Sequence, residues 1–287
     1  MPTVPGAPNS PRTLVLWRNR VLVDARSRVP HLLAGDDLAA FAPSVAFESE
    51  DTLSAEAPGA AGFVELDPER DGLAQLPDVA RESLPLRFLD PMFELGRVGG
   101  DLRRDLVRAL AIVRWSDETR FCSRCGAPLG WEIPGRVKLC TGAEPHRHWP
   151  RIDPSAIMLV SDGERMLLGR QPAWPPGMYS TLAGFVDQGE SVEEAVVREV
   201  YEEAGIRASN VRYFGSEPWP FPRSLMIGFF ADAETTDIVR GEELEDVRWF
   251  TVAEGRDLQR SLDASTPFAD TIARRLIAAW LRERSAI

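Results

Sequence analysis

The sequence predicts a protein of mixed structure, α+β in its first part and α/β in its second. Three observations carry that expectation. Short apolar runs of strand length recur between turn residues, a Cys-x-x-Cys knuckle interrupts them, and a helix crowded with carboxylates sits between strands of the C-terminal half. At 287 residues, 44% of them hydrophobic, the chain is long enough for two domains or three small ones.

Residues 1–12 are rich in proline and lack a basic segment followed by an apolar core, so they read as a flexible leader with no secretory signal. Residues 13–118 read as a small α+β domain. In it Leu14 to Trp17 and Val21 to Val23 form a strand pair around Arg18-Asn19-Arg20, and Ser44 to Phe47 and Gly62 to Leu66 add further strands. Leu102, Leu106, Leu110 and Val113 mark an amphipathic helix over about 101–115. No catalytic constellation falls in this region, which predicts a packing or dimerisation role.

Residues 119–150 carry the knuckle. Cys122 and Cys125 are followed after fourteen residues by Cys140, near the spacing of a zinc ribbon. A second Cys-x-x-Cys needs cysteine at 143, where Ala143 stands, and of the next candidates, Glu144, His146 and His148, a Cys3His zinc site with His146 is the best replacement and His148 the next, an empty ribbon held by its own packing being the other reading.

Residues 151–287 read as the α/β domain. Ala156 to Val160 and Met166 to Leu168 are strands joined by Ser161-Asp162-Gly163, and Tyr179 to Val186 leads into a helix from Ser191 to Ala204 that Gly205 caps. Val211 to Phe214, Ser224 to Ala231 and Val247 to Phe250 supply more strands. Phe268, Ile272, Leu276 and Trp280 mark the core stripe of a last helix.

The central helix holds the chemistry. Glu199 stands three residues before Glu202 and four before Glu203, so the three project from one side with Cβ atoms roughly 5–6 Å apart. Like charges that close repel unless divalent cations sit among them, and hard oxygen ligands select magnesium or manganese over zinc. Arg198 can clamp a glutamate in bidentate geometry.

Gly184, Glu190, Arg198-Glu199-Val200, Glu202-Glu203 and Gly205-Ile206 stand at the spacing of the Nudix box, and the chain resembles the Nudix hydrolases in all of these positions. The resemblance implies an α/β/α sandwich on a mixed sheet and hydrolysis of a nucleoside diphosphate linked to another group. Residues Ser216 to Ser224, SEPWPFPRS, read as a rigid loop after a strand and resemble the motif that follows the box in NADH pyrophosphatases. The family's glutamine is Glu217 here, an anion that weakens pyrophosphate binding if it points at phosphate.

On matching positions the resemblance implies that Glu199, Glu203, the backbone carbonyl of Ala183 and Glu243 bind catalytic magnesium or manganese. Glu203 is the proton acceptor and Glu202 the reserve. Trp149 and Phe185 match aromatics that sandwich nicotinamide, although core packing is the other reading of both. Glu217, Pro218, Trp219, Pro220, Phe221, Pro222, Arg223, Ser224 and Ala273 correspond to substrate contacts. The implied reaction cleaves NADH or NAD to nicotinamide mononucleotide and AMP, with removal of the NAD cap from RNA as the same cleavage. A Nudix enzyme for ADP-ribose, or a protein that binds NAD-capped RNA without cleaving it, are the alternatives. The resemblance also implies a homodimer.

Composition agrees with a cytoplasmic enzyme. No apolar run reaches membrane-span length, so no membrane partner is expected, and three cysteines argue against a disulfide framework. The formal net charge of -11 disfavours broad attraction to nucleic acid, so an RNA substrate needs a local arginine surface. Lys138 is the only lysine; the remaining basic side chains, histidine aside, are arginine.

Overall fold

The computed structural model describes residues 100–133, 135–261 and 270–284, and upstream of them the backbone of six strands. The leader expected over 1–12 lies outside the described residues save for Arg12, and so does Phe268. The chain divides into two compact units, Met1–Arg151 and Ile152–Ile287.

In the first unit the expected strand pair is β1 (Arg12–Trp17) and β2 (Arg20–Asp24), antiparallel through Leu16 and Val21. Two short strands that composition did not reveal, β3 (Leu32–Ala34) and β6 (Leu86–Leu89), join β4 (Val45–Glu48) and β5 (Gly62–Glu65) in one sheet. Its order is β4-β5-β1-β2-β6, with β1 and β5 parallel. Helix α1 (Gly100–Glu118) outruns the expected stretch at its C-terminal end, and Leu106, Leu110 and Val113 are buried as the stripe requires.

The ribbon follows in the same unit as strands β7 (Leu129–Ile133), β8 (Val137–Cys140) and β9 (Arg147–His148), paired antiparallel in that order. Lys138, on β8, is 4% exposed. Its ammonium donates to the carbonyls of Ser116 at 2.8 Å and Thr119 at 2.9 Å, at the C-terminal end of α1, where negative backbone charge accumulates. The rings of Trp115 and Trp131 lie 5.4 and 4.9 Å from it, edge to face with each other. One buried cation thus ties the ribbon to the helix.

The second unit is a three-layer sandwich. Strands β10 (Asp153–Ser161), β11 (Arg165–Arg170), β12 (Leu182–Phe185), β13 (Ala208–Trp219), β14 (Ser224–Ala233) and β15 (Asp246–Thr251) form a sheet ordered β13-β14-β10-β11-β15. The central strand β10 runs parallel to β14 on one edge and antiparallel to β12 and β11 on the other, so the sheet is mixed. Alternate β10 residues face opposite ways, as the strand period of two demands. Ala156, Met158 and Val160 pack with helix α2 (Val192–Ala204), whereas Ile157 and Leu159 pack with helix α4 (Ile272–Glu283).

The structure corrects two expectations here. Ser216 to Trp219 are strand and not loop, with Glu217 opposite Met226 and Trp219 opposite Ser224, which leaves only 220–223 to turn. Prolines are tolerated because β13 is an edge strand, where one side of the backbone needs no ladder partner. Helix α3 (Val252–Ser261) was not foreseen, since its one buried residue, Gly255, leaves no apolar stripe to read.

Replacing Lys138 by methionine leaves two carbonyls without their donor, and a stability loss of about 2–3 kcal/mol is expected from the cost of unsatisfied buried acceptors. Denaturant unfolding of the two proteins measures it.

Candidate active site

Helix α2 begins where the sequence placed it. Ser191 is its N-cap in a complete capping box with Glu194, and Gly205 ends it with φ 68°. The loop beyond folds back over the helix end. Val239 donates to the carbonyl of Ala204 and Gly241 to that of Glu203, and a Cβ at Gly241 would stand 2.3 Å from the Glu202 carbonyl oxygen.

The three carboxylates do not share one environment. Glu203 is buried, Glu199 is nearly so, and the Glu202 side chain is 58% exposed. One-sided projection therefore holds for the Cβ atoms and fails for the charged tips, because Glu203 and Glu199 turn toward the sheet while Glu202 turns to solvent. Glu199 occupies a notch that β12 leaves open: a Cβ on Gly184 would lie 1.8 Å from the Glu199 carboxyl carbon. Any side chain at 184 would evict that carboxylate.

Arg198 organises the rest. It grips Glu190 through two bonds of 3.1 and 2.7 Å, donates to Glu199 and Glu202 at 2.9 Å each, and reaches the carbonyl of Phe185 at 2.8 Å. Glu190 is held below the usual carboxylate range by Arg198 first and by the Asp187 N–H second. The bidentate partner was not identifiable from helical spacing, since Glu190 lies on the turn ahead of the helix, eight residues from Arg198.

Burial pushes Glu199 up, against the pull of Arg198. Glu203 is pushed up to about 8 by burial first and by the charge of Glu199 next, and the N–H of Ala183 offsets only part of this. Glu243, exposed on the loop before β15, adds its negative charge to both. The Oε2 atom of Glu203 is buried with no hydrogen-bond partner. A strand residue turns its N–H and C=O to the same side, so the Ala183 carbonyl shares the edge of β12 that faces Glu203. A buried acceptor without a donor, crowded by like charge and beside a carbonyl, is a site that a hard cation would complete.

Among the other predicted positions, Trp149 is 64% and Phe185 54% exposed, so neither is packed in the core of its own unit. Trp219 and Phe221 contact each other edge to face at 5.1 Å. Arg223 is tied to Asp153 at 3.0 Å, and Ser224 is buried. Glu217 is buried and accepts the backbone N–H of Ile272 at 2.6 Å. Ala273, in the first turn of α4, is buried.

In the ribbon, ligand atoms of Cys122, Cys125, Cys140 and His146 all lie within 4.8 Å of one another, a set that can hold zinc. His148 Nε2 lies 3.2 Å from the Cys122 sulfur. Burial opposes ionisation of Cys122, but the N–H groups of Arg124 and Cys125 together with His148 outweigh it and bring the thiol to about 5.

Residues 151–271 match the NUDIX domain family. Over 221 residues the chain is 42% identical to the NAD-capped RNA hydrolase NudC of Mycobacterium bovis, covering 71% of this chain and 67% of that one. The chain belongs to the Nudix family. This Nudix protein is also 46% identical over 174 residues to the NAD-capped RNA hydrolase NudC of Pseudomonas aeruginosa, a match that spans 60% of this chain and 59% of the relative's length. A crystal structure of a NUDIX hydrolase from Nitrosomonas europaea aligns at 22% identity and a TM-score of 0.47, covering 58% of this chain and 93% of that one. Nudix enzymes use divalent metals, in keeping with the donor set around Glu203. Among the described residues no helix is long and apolar enough to cross a membrane.

Glu203 titrates near 8 in the folded protein against an ordinary 4.5, so between those values the fold binds a proton that the unfolded chain releases. Its contribution to stability is full below about 4.5 and is lost as pH rises through 8. Metal-free protein should therefore melt several degrees lower at pH 9 than at pH 5, and Glu203→Gln should remove much of that difference; calorimetry in chelator reads both.

Proposed function

We propose that the protein hydrolyses the pyrophosphate of NADH or NAD to nicotinamide mononucleotide and AMP, and removes the NAD cap from RNA 5′ ends by the same cleavage. The observation that carries this reading is the buried, unpartnered Glu203 oxygen beside Glu199 and β12. The names of the relatives from Mycobacterium bovis and Pseudomonas aeruginosa support the substrate class.

Glu199, Glu203, the Ala183 carbonyl and Glu243 would hold magnesium or manganese. Such an ion, when bound, neutralises charge on the pyrophosphate oxygens and makes water more acidic. The chain's own residues do the rest. Glu203 accepts a proton from the attacking water, a role suited to a carboxylate whose affinity for protons burial has raised, with Glu202 as the reserve. Water oxygen joins phosphorus as the bridging oxygen leaves with one nucleotide. Arg198 takes no proton; it fixes Glu190, Glu199 and Glu202 against the β12 end.

The resemblance supports Trp149 and Phe185 as nicotinamide contacts, each ring being exposed in its own unit, and Trp219 with Phe221 presents an aromatic surface at the β13–β14 turn. Pro220 and Pro222 stiffen that turn, and Pro218 the end of β13 that leads into it, which reduces the ordering cost of binding. Arg223 and Ser224 anchor it. The ribbon would hold structural zinc through Cys122, Cys125, Cys140 and His146, with His148 Nε2 3.2 Å from the Cys122 sulfur. The resemblance further supports a homodimer, and composition supports a cytoplasmic protein with no membrane partner.

With magnesium or manganese, AMP release from NADH and from NAD-capped RNA is expected to exceed release from ADP-ribose in a side-by-side panel followed by chromatography. Glu203→Gln should lower turnover by about a hundredfold or more, as loss of an essential base does. Undiminished turnover in that variant rejects the mechanism. Elemental analysis should find one zinc per chain, lost in His146→Ala and kept in His148→Ala.

A further inference from the structure

Glu217 stands where the resembling motif carries a neutral glutamine, and its surroundings show a use for the charge. It is 7% exposed, on edge strand β13. Its Oε2 accepts the N–H of Ile272, the first residue of α4, at 2.6 Å, and the Arg275 guanidinium lies 3.6 Å from the same oxygen. Thr271 occupies the N-cap position of that helix but makes no side-chain capping bond. A carboxylate from another element thus takes the capping place, where an anion meets the positive end of the helix.

The anchored residue reaches inward. Ile272 lies against Gly228 of β14 so closely that a Cβ there would come within 2.6 Å of its Cδ1 atom. Ile272 and Ala273 belong to the core cluster against which Ala183 and Met226 also pack. Met226 is the cross-strand partner of Glu217, and Ala183 is the β12 residue whose backbone N–H lowers the proton affinity of Glu203. Anchor, helix turn and β12 are therefore parts of one packed layer, and close-packed layers transmit displacement.

We propose that Glu217 is a positioning residue, fixing the first turn of α4 by its bond to Ile272 and through that turn holding Ala183 of β12 against Glu203. It acts through its neighbours and not on substrate. The inference rests on the metal-site reading of Glu203 for its catalytic consequence, while the structural coupling stands apart from any activity.

Amide hydrogen exchange on the full-length, metal-free protein tests the coupling directly. In Glu217→Ala the amides of Ile272 and of Ala183 should both exchange about tenfold faster or more, as expected for a segment that opens more readily, with Glu217→Gln in between. If Glu217→Ala does not fold, wild type and Glu217→Gln decide on the same two amides. In turnover assays the magnesium concentration for half-maximal rate should rise about fivefold in Glu217→Ala and partly recover in Glu217→Gln, the behaviour of a site held less well.

Faster exchange at Ile272 with no change at Ala183 overturns the coupling, and so does unchanged exchange at both. A lower KM for NADH in both variants also overturns it, because that is the signature of an anion facing the substrate's phosphates. Wild-type protein that releases no AMP defeats the activity reading, and the exchange result still decides the anchor.

Discussion

The second unit is organised around a buried carboxyl group that none of the described residues neutralises. Glu203 is packed against the sheet with one oxygen unpartnered and Glu199 close by. Burial of this kind costs free energy unless the group is protonated or paired with a cation, so the metal-free fold at neutral pH keeps the carboxyl largely as its acid, a proton that a bound metal ion would displace. Retaining such a group is intelligible at a site that must bind metal and accept a proton.

Much of the surrounding structure exists to keep that arrangement from relaxing. Arg198 spends its donors on Glu190, Glu199, Glu202 and the Phe185 carbonyl, which stops the less buried acids from swinging into water. Gly184 is the opening that lets Glu199 lie on β12, and Gly241 lets the following loop close over the helix end. The capping box at Ser191 and the left-handed Gly205 set where the helix starts and stops, and so which turn faces the strand. Glu217 does on the opposite face of the sheet what Ser191 does on this one: it fixes the start of a helix, from a strand distant in sequence.

The first unit solves a different problem with similar means. A ribbon of three short strands has little core of its own, and its stability comes from a few strong links. The cysteine and histidine cluster would be one when it holds a metal ion. Lys138, enclosed by two tryptophans and bonded to the end of α1, is the other, and a lone lysine in an arginine-rich chain is well suited to it because a compact ammonium fits where a planar guanidinium does not.

The sequence by itself determined what depends on local spacing. Helix α2, its caps, the Nudix box, the strand cores of β10, β11 and β13 to β15 and the cysteine spacing were legible, because period, capping chemistry and ligand intervals are properties of neighbours along the chain. Tertiary structure decided what depends on approach from afar. It separated Glu203 from Glu202 by burial, chose Glu190 as the partner of Arg198, placed His146 within 4.8 Å of the three cysteine sulfurs and His148 beside that of Cys122, and turned Glu217 toward the N–H of Ile272. Helical spacing fixes where a Cβ points, but the charge state and partner of a side chain are set by the surface that packs against it, and that surface comes from residues tens of positions away.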